Sequence, residues 1–109
     1  MSGISTHVLD TVLGKPAAGI RMTLERQQNG SWNPVGEGIT DADGRCRDLT
    51  ESPAPGTYRL VFATGAYLGA QGRNTIYPVI VVTFEFHGDA HFHLPLLLSD
   101  NSYTTYRGS

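Results

Sequence analysis

The sequence has a single cysteine, Cys46, and no apolar run approaching the roughly 20 residues that a membrane-spanning helix needs. The first scarcity excludes an internal disulfide framework, so folding requires no oxidising compartment. The second leaves no transmembrane segment. The start, Met1-Ser2-Gly3-Ile4, also lacks the basic stretch and apolar core of a secretory signal. Basic residues are few as well: eight Lys and Arg are scattered among ten Asp and Glu, for a formal net charge of −2. Nucleic acid and anionic membrane surfaces both demand a concentrated basic face, so neither is an expected partner. Missing too are the Gly-x-Ser-x-Gly elbow, the P-loop, the Cys-x-x-Cys pair and the His-Glu-x-x-His helix. With 109 residues the chain is expected to form one cytoplasmic domain, residues 1–109, with a core small enough that oligomerisation would help it.

What the sequence does contain is strands and turns. Ile4 to Leu9 alternates, placing His7 and Val8 on opposite faces. Ile20 to Arg26 has the period-two pattern of a half-buried strand. Asn29-Gly30 is a two-residue hairpin signal, since both positions tolerate positive φ, and Pro34 marks the returning strand, Trp32 to Gly38, as an edge or a bulge. Asp43-Gly44 turns the chain into Arg45 to Leu49. Thr57 to Ala63, Pro78 to Phe86, His91 to Leu98 and Tyr103 to Arg107 read as further strands. Between Thr64 and Gly72 there is room for one short helix, limited by Gly65, Gly69 and Gly72. About eight short strands and one brief helix predict an all-β sandwich.

Of the chemistry-bearing residues, His91 and His93 share a strand face, and with His7 or His87 they could be imagined around zinc. His-x-His with no cysteine ligand nearby is a weak signal, and no metal is expected. His87, beside a turn, reads as a solvated surface residue. Cys46 reads as a small buried hydrophobe, because Arg45 and Arg47 point away from it on a strand and cannot stabilise a thiolate.

Two stretches are more specific: His7-Val8-Leu9-Asp10-Thr11-Val12-Leu13-Gly14-Lys15-Pro16-Ala17, and His93-Leu94-Pro95-Leu96-Leu97-Leu98-Ser99 running on to Tyr103-Thr104-Thr105-Tyr106-Arg107-Gly108-Ser109. With Thr40-Asp41-Ala42-Asp43-Gly44-Arg45 and Thr64-Gly65-Ala66-Tyr67 between them, they resemble the transthyretin-like family over essentially the whole chain. One branch of that family carries thyroid hormone and the other hydrolyses 5-hydroxyisourate in urate degradation. His7, Arg45, His93 and the Tyr106–Ser109 terminus match the hydrolase branch. The departures are Asp100, where the family usually has proline, then Asn101, Ser102 and Met22. They leave the shape of the last hairpin open.

The resemblance implies a transthyretin-like β-sandwich hydrolase that needs no cofactor, assembled as a homotetramer, a dimer of dimers, with active sites where subunits meet. It implies His7, Arg45 and His93 as catalytic residues, and Tyr106, Arg107 and Ser109 as substrate-binding residues. Those residue types suit the reaction. Histidine exchanges protons near neutral pH, and either His7 or His93 could be the general base. A permanently charged guanidinium can hold carbonyl oxygens and a developing oxyanion. The alternatives are a carrier using the same scaffold and a metal-dependent protein built on the histidines.

Overall fold

Alternating apolar and polar side chains build both layers of the fold. A computed structural model describes residues 3–47, 49–88 and 91–108 as two facing sheets. The first contains β1 (Gly3–Asp10), β2 (Lys15–Pro16), β5 (Arg45–Cys46), β8 (His91–Leu98) and β9 (Tyr103–Thr105). The second runs β4 (Ser31–Ile39), β3 (Arg21–Gln28), β6 (Gly56–Phe62) and β7 (Ile80–Phe86), and one short helix, α1 (Thr64–Gly69), follows β6. The expected sandwich is thus present. Among the described residues there are nine strands, in keeping with about eight; the addition is Lys15-Pro16, read from sequence as a break, which pairs with Leu9 and Asp10. The strand expected from Arg45 to Leu49 is confined to Arg45–Cys46.

The core lies between the inward faces. Ile4 and Val8 of β1 and Phe92, Leu94, Leu96 and Leu98 of β8 meet Leu24, Leu60, Phe62, Ile80 and Phe86 of the other sheet. Phe84 stacks on Phe92 with centroids 4.9 Å apart, which ties β7 to β8 across the interlayer. Cys46 belongs to this core, and His87 is exposed.

The turns follow their residues. Asn29 and Gly30 both have positive φ (52° and 77°), as a two-residue hairpin with this twist demands. Pro34 sits on the edge strand β4 beside a bulge, where the register jumps from Leu24↔Gly36 to Glu25↔Pro34.

The pairing that places the candidate residues is between distant segments. β1 lies parallel to β8 from Gly3↔His91 to Asp10↔Leu98, and β5 pairs antiparallel with the other side of β1. The inward row of β1 ends in Asp10, whose side chain is fully buried. Arg73 answers it at 2.6 Å and also reaches Asp100 at 2.6 Å. Tyr67 donates its hydroxyl to Asp10, as do the backbone N–H groups of Val12 and Leu13. Burial alone would raise the Asp10 pKa. The bond from Arg73, with those from Leu13 and Tyr67, outweighs it and brings the carboxyl down to about 2. Asp100, a departure from the family pattern, therefore has an ionic role. Asn101 contributes a neutral hydrogen bond, accepting the Ile76 N–H at 2.8 Å, so the last hairpin is tied to the segment after α1.

Arg73→Ala leaves a buried carboxylate unpaired and is expected to cost about 3–5 kcal/mol in urea unfolding at matched protein concentration. Because the folded Asp10 pKa lies below its unfolded value of roughly 3.9, its contribution is complete above about pH 4 and is lost as pH falls toward 2. Asp10→Asn should flatten that part of the stability-versus-pH curve.

Candidate active site

Side chains at odd positions of β1 point away from the core, which puts Ser5 and His7 on the outer face of the first sheet. The β8 pairing sets His93 opposite Ser5, and the β5 pairing sets Arg45 opposite His7. Three residues from separate parts of the chain thus come together on one face, with His91 two positions before His93 on the same side. Tyr106 is exposed, and Ser109, expected to contact substrate, lies outside the described residues.

Arg45 is delivered by a polar turn. The Asp41 carboxylate accepts the N–H groups of Asp43 (2.9 Å) and Arg45 (3.0 Å), and the Arg45 N–H, with that of Asp43, holds Asp41 below the usual carboxylate range. Gly44 (φ 76°) closes the turn so tightly that a β-carbon there would stand 2.3 Å from the Val8 carbonyl oxygen. The same turn presents the Asp43 carbonyl to His7 Nε2 at 2.8 Å. A carbonyl only accepts, so Nε2 carries hydrogen and Nδ1 is the bare nitrogen of neutral His7.

His93 is half-buried, with Nδ1 2.8 Å from the Ser5 hydroxyl. Its pKa is pushed below the ordinary 6.5, first by burial and then by the neighbouring charges of His91, His7 and Arg45. It is therefore uncharged at neutral pH. The C-terminal tail lies against it: the Gly108 N–H donates to the His93 carbonyl at 2.8 Å. A β-carbon at Gly108 would fall 2.7 Å from His93 Cδ2, so glycine is required for that approach.

Arg107 is placed differently from the three residues above. Its guanidinium sits over the Phe92 ring, 5.0 Å from the centroid, on the side chain of a core residue. Sequence reasoning missed Ser5 and Asp41 as parts of this site. Asp41, two residues before Asp43-Gly44, carried a readable signal, since aspartate at that spacing caps turns through its side chain. Ser5 carried none, because its importance arises only from the register with β8. Among the described residues, no group of three or more His, Cys, Asp or Glu side chains is arranged to hold a metal ion. Two clefts of about 390 and 320 Å3 near α1 are lined by residues such as Tyr67 and Gln71 and include none of the three candidates.

Comparison with known proteins places the whole chain in one family. The model of the HIUase/Transthyretin family matches residues 4–108. A 5-hydroxyisourate hydrolase of Caulobacter vibrioides is 44% identical over 115 residues, spanning 100% of both chains. Among solved structures, 5-hydroxyisourate hydrolase of Klebsiella pneumoniae superimposes with a TM-score of 0.89 at 35% identity, covering 100% of each chain. Transthyretin from Sparus aurata gives 0.94 at 33% identity, covering 99% of this chain and 97% of that one. The scaffold thus fits both kinds of relative. The chain belongs to the HIUase/Transthyretin family.

Proposed function

We propose that this chain hydrolyses 5-hydroxyisourate on the face that carries His7, Arg45 and His93. What carries the proposal is the meeting of two imidazoles and a guanidinium on one outer sheet face, in a chain whose relatives at 44% identity, matched over 96% and 100% of their own length, are hydrolases of this name. The fold does not choose between carrier and hydrolase, since both superimpose closely. The residues do, because a carrier has no use for a proton acceptor beside an oxyanion donor.

His93, whose pKa is lowered first by burial and then by the nearby His91, His7 and Arg45, acts as the general base. It takes a proton from water as the oxygen attacks the ring carbonyl. Arg45 faces the oxygen on which charge develops. His7, with Nε2–H held by the Asp43 carbonyl, offers Nδ1 as an acceptor that orients substrate or water. Collapse of the tetrahedral intermediate breaks the carbon–nitrogen bond, and the proton held by His93 passes to the departing nitrogen. The product is 2-oxo-4-hydroxy-4-carboxy-5-ureidoimidazoline, and no step requires a cofactor. Tyr106 and Ser109 would close the site from the tail, and Arg107 would join them by swinging from Phe92 when substrate binds.

A sheet face is shallow, and a small planar substrate needs a second wall. We assign that wall to another copy of the chain, in a cytoplasmic homotetramer built as a dimer of dimers. The apolar rim supports this: Ile76, Val79, Val81 and Tyr103 are exposed along the β7 and β9 edges, where unpaired strands invite a partner.

Purified protein should accelerate the decay of freshly generated 5-hydroxyisourate, followed by absorbance. His7→Ala, Arg45→Ala and His93→Ala are each expected to lower kcat/KM by about 100–1,000-fold. Wild-type rates in all three would reject the site. Since His93 must be uncharged and its pKa is lowered, the acid limb of kcat/KM should lie below the pH at which an ordinary histidine titrates. Sedimentation should report four chains per particle.

A further inference from the structure

The Ser5 hydroxyl is buried between two imidazoles, 2.8 Å from His93 Nδ1 and 3.4 Å from His91 Nε2. The two rings lie nearly parallel, 6.1 Å apart, and His91 is exposed to solvent while His93 is half-buried. A hydroxyl has one hydrogen to give, so it cannot donate to both rings at once. If it donates to His91, it must accept from His93 Nδ1, and the bare nitrogen of His93 is then Nε2. The tautomer of the proposed base is thus coupled, through one hydroxyl, to a second histidine to which no part of the reaction has been assigned.

We propose that Ser5 and His91 are positioning residues that form a proton relay behind His93. Ser5 fixes Nε2 as the bare nitrogen of His93, and His91 holds the charge during the life of the intermediate. The balance is as follows. Water gives a proton to His93 Nε2. The Nδ1 proton moves to the Ser5 oxygen, and the Ser5 proton moves to His91 Nε2. The positive charge has then left the ring nearest the substrate for the exposed one. When the carbon–nitrogen bond breaks, the His93 Nε2 proton goes to the departing nitrogen. His91 returns its proton through Ser5 to Nδ1, and all three side chains regain their starting state. No oxidant or further reactant is involved.

The groups around His93 are compatible with this path. β1 presents Ser5 and His7, β5 presents Arg45, β8 presents His91, and the tail presents the Gly108 backbone, with Arg107 over Phe92. Burial first, and then the nearby His91, His7 and Arg45, disfavour a cation on His93. Passing the charge outward to His91 places it on the exposed ring, where water can solvate it.

The inference rests on His93 being the base of the proposed hydrolysis, and its test separates the two. Ser5→Ala is expected to lower kcat about 10–100-fold, the scale seen when a hydrogen-bond partner that orients a ligating imidazole is removed, with KM within about twofold. Ser5→Thr, which keeps the hydroxyl, should recover most of that loss. His91→Gln removes the ring that takes up the relayed proton, so kcat should fall on the same scale, with KM again within about twofold. Nitrogen-15 NMR of the His93 ring should show one tautomer in the parent protein and a mixture in Ser5→Ala. Wild-type kcat and an unchanged His93 tautomer in these variants would overturn the relay. If the parent protein fails to turn over 5-hydroxyisourate while Ser5→Ala still changes the His93 tautomer, the hydrogen-bonded chain stands and the hydrolase reading falls.

Discussion

The meeting of His91 and His93 with Ser5 and His7 on the candidate face depends on the register of one parallel pairing, β1 against β8. Side chains along a strand alternate with a period of two, so a slip of one residue would turn His93 into the core and bring Leu94 to the surface. The penalty is large because Ile4, Val8, Phe92, Leu94, Leu96 and Leu98 occupy the same interlayer. The hydrophobic effect, acting on the inward rows, thereby fixes polar groups on the outward rows to a fraction of a side-chain length.

A buried ion pair locks the far end of the same strand. Asp10 closes the inward row of β1, and Arg73 bridges it to Asp100 beyond the end of β8. Removing two charges from water costs several kcal/mol per ion, so such a bridge is a poor source of net stability. Its value is geometric. Only one arrangement of β1, β8 and the segment after α1 satisfies a carboxylate that also accepts hydrogens from Tyr67, Val12 and Leu13. Misregistered alternatives strand a charge.

The chain announced its architecture through alternation and turn chemistry. The period-two rows of β3, β6 and β7 and the Asn29-Gly30 hairpin are local signals, and all appear in the structure. His7, Arg45 and His93 could be named because motifs carried them, and their shared face followed once strand directions were known. Ser5, Arg73 and the ionic part of Asp100 were not legible. A serine on a strand and an arginine in a loop have no pattern of their own, and their meaning comes from partners 88 and 63 residues away. The Lys15-Pro16 pairing was hidden for a related reason. A two-residue strand has no periodicity, and proline there satisfies the rule for edges rather than interiors.

The parallel arrangement also shapes how the molecule comes into being. Thr6 and its β8 neighbour Leu94 are separated by 88 residues, so a ribosome releases the first strand long before its companion exists. Until then one side of β1 has no ladder and its apolar row has no lid. Short-range hairpins such as β3–β4 can close early, whereas long-range parallel contacts are slow to form and leave intermediates prone to association. The nascent chain must keep its opening segment soluble by other means, and assembly of the reactive surface becomes one of the last events of biogenesis.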